Sequence, residues 1–214
     1  MGKLMSVYAS RTGTKRNLAA IAEAGWGLLV SRAGEWRTEG FVDWVADNGA
    51  WADFQAGQPF DEDMFEEFLQ WIESQSIAPR WLVLPDIVAG GLESLSLSLR
   101  FRNRCLSVAP LVLIAVQDGM EHDHLAPHVG PSVGIFLGGS TGWKLKQMRY
   151  WGEFCADRNI HYHVARVNTA RRMFLASAAN ADGVDGSSGS RFAVTIRKLD
   201  LARRQPDLFA PRVT

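Results

Sequence analysis

The spacing of hydrophobic and polar positions changes period repeatedly along the chain, and the changes mark out its elements. Short apolar runs at 4–9, 26–31, 41–46, 81–85, 111–116, 133–137, 161–167 and 182–185 have the length of strands and end in Gly, Ser, Asp, Asn or Pro. Between them, apolar residues recur three and four apart. The clearest such stretch follows Asp61, a helix N-cap, and carries Met64, Phe65, Phe68, Leu69 and Ile72 on one face. Further helices are expected from Thr14 or Lys15 to Ala24, over 141–157 with Leu145, Met148, Trp151 and Cys155 inward, from Asn168 or Thr169 to Ala178, and over about 189–203. Residues 32–40 are polar and read as a loop. The segment 92–106 fits two templates: Leu95, Leu97 and Leu99 alternate with serines as in a strand, while Leu92, Leu95 and Leu99 share a helical face. Its place between two strands favours helix.

Strands that alternate with helices imply parallel pairing. Eight such units in 214 residues imply a compact (β/α)8 TIM barrel, one α/β domain over residues 1–204. Residues 205–214 read as an irregular tail, because Pro206 and Pro211 oppose helix. A doubly wound open sheet is the competitor, but no glycine-rich phosphate fingerprint follows the first strand.

Composition narrows the function classes. A hydrophobic fraction of 47% and a charged fraction of 21% are those of an ordinary globular protein. Lys+Arg and Asp+Glu are 23 each, so any attraction to nucleic acid must come from a local patch. Two cysteines, Cys105 and Cys155, cannot make a zinc site and are expected as buried thiols of a cytoplasmic protein. No apolar run reaches membrane-spanning length and no signal-peptide pattern precedes the first strand, so no membrane partner is expected. The opening Met-Gly-Lys-Leu-Met-Ser fits a loose myristoylation pattern, but Ser6 is better used in a strand.

In a barrel of this kind the C-terminal strand ends converge on one mouth, where chemistry is done. The polar groups at those ends are Asp47, Asp86, Gln117, the Gly138-Gly139 turn and Asp185. Two cooperating carboxylates suit displacement at an anomeric carbon, one attacking and the other handling a proton. An Asp, a Gln amide and a glycine N–H could read the hydrogen-bonding edge of a purine. Each group has a plainer reading. Asp47-Asn48-Gly49 could be a simple turn, Asp86 a helix cap, Gln117-Asp118-Gly119 a loop, and Gly138-Gly139 a tight bend. His163, mid-strand, reads as a core histidine, and most of the eight tryptophans as packing. Asp182 is the fallback nucleophile; three residues from Asp185, it would face the other side of the strand.

Taken in order, these segments resemble the tRNA-guanine transglycosylase superfamily, most closely its small zinc-free branch of 7-deazaguanine DNA transglycosylases (DpdA-like). Asp47-Asn48-Gly49-Ala50-Trp51 is similar to that family's Asp-Ser-Gly-Gly-Phe, and Val116-Gln117-Asp118-Gly119 to its Val-Gln-Gly-Gly. Gly138-Gly139 matches the start of its Gly-Gly-Leu, with Ser140 in place of leucine. Val184-Asp185, with Arg191 six residues beyond the aspartate, resembles its Phe-Asp-Cys-Val-x-Pro-Thr-Arg. The resemblance spans residues 47–191. Ala165 stands where the family has glycine, Gly186-Ser187-Ser188 replace its Cys-Val-Leu, and the chain lacks the cysteines and length for its zinc subdomain.

The resemblance implies a guanine transglycosylase that replaces guanine in DNA by a 7-deazaguanine through a covalent aspartyl-glycosyl intermediate. Asp185 would be the nucleophile and Asp47 the general acid/base. Asp86, Gln117, Gly138, Gly139 and Ser140 would hold the base, with no metal and no cofactor. Arg11, Lys15, Arg16, Arg171, Arg172 and Arg191 are the candidates for phosphate contacts, against the alternative of a solvated helix face. Partners would be DNA and a free 7-deazaguanine, with a homodimer or an accessory DNA-binding protein left open; if the chain is phage-encoded it would act in the host cytoplasm. The alternatives are the same exchange on tRNA, a non-catalytic nucleic-acid-binding relative, and an unrelated barrel enzyme acting on a small molecule.

Overall fold

A computed structural model describes residues 4–205. The remainder of the tail expected at 205–214 and the first three residues of the myristoylation-like pattern lie outside the described residues.

Eight parallel strands close into a barrel in chain order: β1 (Ser6–Ser10), β2 (Gly27–Ser31), β3 (Trp44–Asp47), β4 (Leu82–Val83), β5 (Val112–Val116), β6 (Val133–Leu137), β7 (Tyr162–Val164) and β8 (Gly183–Gly186), which returns to pair with β1. The connecting helices are α1 (Lys15–Glu23), α2 (Ala50–Gln55), α3 (Glu62–Glu73), α4 (Gly91–Leu106), α5 (His122–Leu125), α6 (Thr141–Arg158), α7 (Ala170–Ala178), α8 (Ser188–Arg191) and α9 (Val194–Arg204). This is the single-domain (β/α)8 barrel expected from the alternation.

Side chains alternate between the two faces of each strand. Those facing outward, such as Val7, Leu28, Trp44, Ile114 and Val184, meet the helices in one large apolar layer. Those facing inward fill the barrel itself: Tyr8, Leu29, Val45, Trp81, Val83, Leu113 and Ala115, with Phe136 against them. The interior is therefore a packed plug, and only its upper layer turns polar. Two residues beyond Val45 along β3 comes Asp47, and two beyond Leu29 along β2 comes Ser31, paired in register with it.

Several elements differ in extent from their sequence reading. The segment 92–106 is helix, as its position required. Asp61 caps α3 by accepting from the Met64 N–H at 2.9 Å. The ladder of β7 stops at Val164 because Arg166 takes a left-handed backbone, φ +57°. The single helix expected over 189–203 is two. α8 is tied to the barrel, with Ser190 Oγ donating to the Ser10 carbonyl and Asn17 Nδ2 donating to the Ser190 carbonyl at 2.5 Å. α9 instead turns Ile196, Leu199 and Ala202 inward and packs against α7. One straight helix cannot do both, and the chain breaks at Phe192-Ala193. Asp182 lies below β8 rather than in it, its carboxylate accepting the Tyr162 N–H at 2.9 Å. No helix among the described residues is long and apolar enough to cross a membrane. Cys105 and Cys155 are buried free thiols, and burial raises both to about 12. No group of metal-ligating side chains is found among the described residues.

Candidate functional site

Asp47, Asp86, Gln117 and Asp185 all stand at C-terminal strand ends, so the closed barrel gathers them at one mouth. Asp47 Oδ1 accepts from Ser31 Oγ at 2.9 Å and from the Gly49 N–H at 3.0 Å. The second of these bonds closes a turn that needs a left-handed residue. Gly49 has φ +76°, and a Cβ there would meet the Ala33 nitrogen at 3.0 Å and the Arg32 side chain at 3.2 Å. The buried Arg32 braces the same turn, its Nε donating to the Asn48 carbonyl at 2.7 Å and its Nη2 to Asp53.

Asn48, in the middle of that turn, is buried and joins the two acidic strand ends. Its Nδ2 donates to the Leu84 carbonyl at 2.5 Å and to Asp86 Oδ1 at 2.7 Å, while its Oδ1 accepts the Ala50 N–H. Asp86 Oδ2 accepts from Gln117 Nε2 at 2.7 Å, and Gln117 also reaches Ser94 Oγ at 3.1 Å. Gln117 Oε1 is buried with no hydrogen-bond partner among the described residues. An unsatisfied acceptor costs about 1–3 kcal/mol, and an incoming donor would remove that cost.

Asp185, 7% exposed, rises from β8 into the same layer. Its Oδ1 lies 3.0 Å from His163 Nε2, and its Oδ2 accepts the Arg166 N–H at 3.2 Å. His163 is fully buried among Trp81 and Phe136, whose ring it parallels at 5.3 Å. It is indeed a core histidine, and it also holds the carboxylate in place. Sequence reasoning saw only the first role.

The electrostatics of these acids follow from their setting. Burial raises the Asp47 carboxyl; the Ser31 and Gly49 hydrogen bonds oppose it, and the Asp185 charge adds to it. Burial likewise raises Asp86, to about 7, against its Asn48 bond and with the Asp47 charge reinforcing the rise. Two acids of raised pKa thus share the mouth with a third carboxylate, the arrangement in which one group can carry a proton that another does not.

Arg166 was missed in the sequence, and it spans the mouth. Its guanidinium lies 5.0 Å above the Trp51 ring and its Nη2 donates to the Gly139 carbonyl. Trp51, unlike the buried tryptophans of the core, is an exposed ring on α2. Gly138 continues the β6 ladder by donating to the Val116 carbonyl at 2.9 Å. Gly139 has φ +69°, and a Cβ there would meet Asp118 Oδ2 at 2.6 Å. Ser140, expected to contact a ligand, is tied to Asp118: its N–H and hydroxyl each donate to that carboxylate at 2.7 Å, and its carbonyl accepts within α6. Burial pushes Asp118 up, but those two bonds and the nearby Arg166 charge outweigh it and hold the group below its ordinary value.

Beneath the Arg166 turn, Lys144 is 1% exposed and donates to the Ala165 carbonyl. Burial, reinforced by the Arg166 and Arg172 charges, lowers its ammonium to about 7. An amine of that pKa is chemically a nucleophile, but this one is sealed under the backbone it supports.

The six cations expected to meet phosphate all lie on loops or first turns at the mouth side. Lys15, Arg16, Arg171 and Arg191 are exposed and make no ion pair among the described residues. Arg172 is half-buried, its Nη1 3.5 Å from the Arg166 carbonyl. Arg11 departs from the set: Glu39 holds it at 2.5 Å and Glu35 at 2.9 Å, so its charge is neutralised within the chain.

No family model matches the chain, and no curated protein sequence does. The fold matches solved structures. One of them, described as "Native KDPGal structure", superposes with a TM-score of 0.59 over 94% of this chain and 96% of that one, at 12% identity. A likeness at that identity establishes the barrel and leaves the chemistry to be argued from the site.

Proposed function

We propose that the chain is a guanine transglycosylase acting on DNA, exchanging guanine for a 7-deazaguanine base. One observation carries this reading: Asp47 and Asp185 stand at the C-terminal strand ends of one closed barrel, with Asp86 and Gln117, hydrogen-bonded to each other, on the same rim. The first pair supplies a nucleophile and a proton carrier, and the second a donor–acceptor edge suited to a purine.

In the first displacement Asp185 attacks C1′ of a flipped deoxyguanosine. The C1′–Oδ bond forms as C1′–N9 breaks, and Asp47, whose burial favours its protonated form, gives its proton to the departing base. In the second, N9 of the incoming base loses its proton to Asp47 and attacks C1′, and the carboxylate of Asp185 leaves. His163 and the Arg166 N–H hold Asp185 in one rotamer through both steps. Asp86 and Gln117 take the purine edge, and the unpartnered Gln117 Oε1 gains a donor.

The test is mass spectrometry of nucleosides after incubation of the protein with a 7-deazaguanine and either DNA or tRNA. Exchange is expected in DNA. Asp185→Asn should reduce it by about 10³-fold or more while leaving the circular dichroism spectrum unchanged. Exchange in tRNA alone would move the reaction to that substrate. Normal turnover by the asparagine variant would remove the nucleophile.

A further inference from the structure

We propose that Phe192 is a wedge that enters the base stack of duplex DNA and fills the place of the extruded nucleotide. The proposal rests on the base-exchange reading for its purpose, but on separate residues for its evidence.

Phe192 and Val194 are 62% and 75% exposed, and they sit at the break between α8 and α9. That break lies on the connection that leaves β8, seven residues past Asp185 and on the same side of the barrel. The backbone beneath the ring is fixed. The Phe192 N–H donates to the Ser188 carbonyl at 2.9 Å, and its carbonyl accepts from the Thr195 N–H at 2.9 Å and from Thr195 Oγ1 at 2.8 Å. α8 is itself bound to β1 and α1 through Ser190. An aromatic ring held out on a rigid backbone loses little conformational freedom when it inserts into a stack.

Charge identifies the occupant. Lys15, Arg16, Arg171, Arg191, Arg197 and Lys198 lie on α1, α7, α8 and α9, the two helices that meet at this tip and the two that pack on them; all are exposed, and none pairs with a carboxylate among the described residues. In the units of β2, β3 and β4 the pattern reverses, with Arg32, Arg100 and Arg104 neutralised by Asp53, Glu62, Glu66 and Glu73. A chain with no net charge therefore keeps a basic rim on the β8 side, complementary to a phosphate backbone. The exposed pair Trp51 and Phe54 lies on α2 beside Asp53, and the cation over Trp51, Arg166, is already bonded to the Gly139 carbonyl. Apolar side chains inserted between base steps are a common means of unstacking a duplex.

The experiment compares Phe192→Ala and Phe192→Leu with the native protein. Exchange is measured on a guanine in duplex DNA and on the same guanine in a single strand, where it is already free of its partner. The alanine variant should lose about tenfold or more on duplex and less than about twofold on single strand, and leucine should restore most of the loss. Equal rates on duplex, or equal losses on both substrates, would overturn the wedge. A second reading does not depend on exchange: 2-aminopurine beside the target should brighten when native protein binds duplex, and not with the alanine variant. If native protein brightens the probe but exchanges no base, the wedge stands and the catalytic proposal falls. If native protein leaves the probe dark, the wedge is overturned. Sedimentation of both proteins covers the remaining occupant, since a native dimer dissociated by Phe192→Ala would assign the tip to self-association.

Discussion

Replacing Asp86 by asparagine should make the protein more stable at alkaline pH, at the expense of its function. Folding raises this carboxyl from 3.8 to about 7, with burial the largest cause. The sign follows from linkage. Below about pH 4 the group is protonated in both states and contributes nothing. As pH rises the unfolded chain ionises first, so native stability falls until the folded group also ionises near 7, and is level above that. A rise of about three units is worth roughly 4 kcal/mol at 1.36 kcal/mol per unit. Asp86 is only half-buried, and solvent at the mouth should reduce this to about 2–4 kcal/mol. Asparagine keeps one oxygen for Asn48 Nδ2, and its amide can donate to the unpartnered Gln117 Oε1 once that side chain flips.

The assay is urea unfolding of both proteins at pH 4, 5.5 and 8. The variant should exceed the native protein by about 2–4 kcal/mol at pH 8, and the gap should shrink to about 0.5 kcal/mol or less at pH 4. A gap independent of pH would refute the argument, because burial would then not oppose the charge. A gap of opposite slope would show that the Asn48 and Gln117 amides hold the carboxylate ionised. The same titration bears on recognition. Accepting from two purine N–H groups needs the ionised form, so native affinity for a guanine should rise with pH through about 7, and that rise should vanish in the variant.

Two further substitutions test the frame around the acids. Lys144→Met should stabilise the fold by about 2–4 kcal/mol at pH 6. Burial lowers this ammonium to about 7, so its penalty is full below 7 and fades as pH rises toward 10.5; between melts at pH 6 and at pH 9.5 the gain should fall to about a third. Gly49→Ala should cost about 1–3 kcal/mol, or about 3–10 °C in Tm, because alanine must take φ +76° with its Cβ against Ala33 and Arg32. A melting temperature within 1 °C or so of native would show that the turn holding Asp47 relaxes freely.

What could be read from the sequence is what local pattern encodes. Short apolar runs gave the strands, Asp61 gave a helix start, and the alternation gave parallel closure, which turns a statement about strand ends into one about a shared mouth. Asp47, Asp86, Gln117 and Asp185 were legible for that reason alone. The groups that hold them were not, because each acts through a contact distant in the chain. His163 looks like core from its apolar strand and is core, yet its second nitrogen reaches Asp185 across 22 positions. Asn48 looks like a turn residue, and its bond to Asp86 spans 38. Arg166 depends on a left-handed backbone that no glycine announces and on a ring in another unit of the barrel. The break at Phe192-Ala193 has neither Gly nor Pro to mark it; it follows from α8 answering to β1 and α1 while α9 answers to α7. The same competition leaves Phe192 outside the core. A residue that helical periodicity would have buried stands in solvent because two neighbouring helices are each committed elsewhere, and that makes its exposure informative.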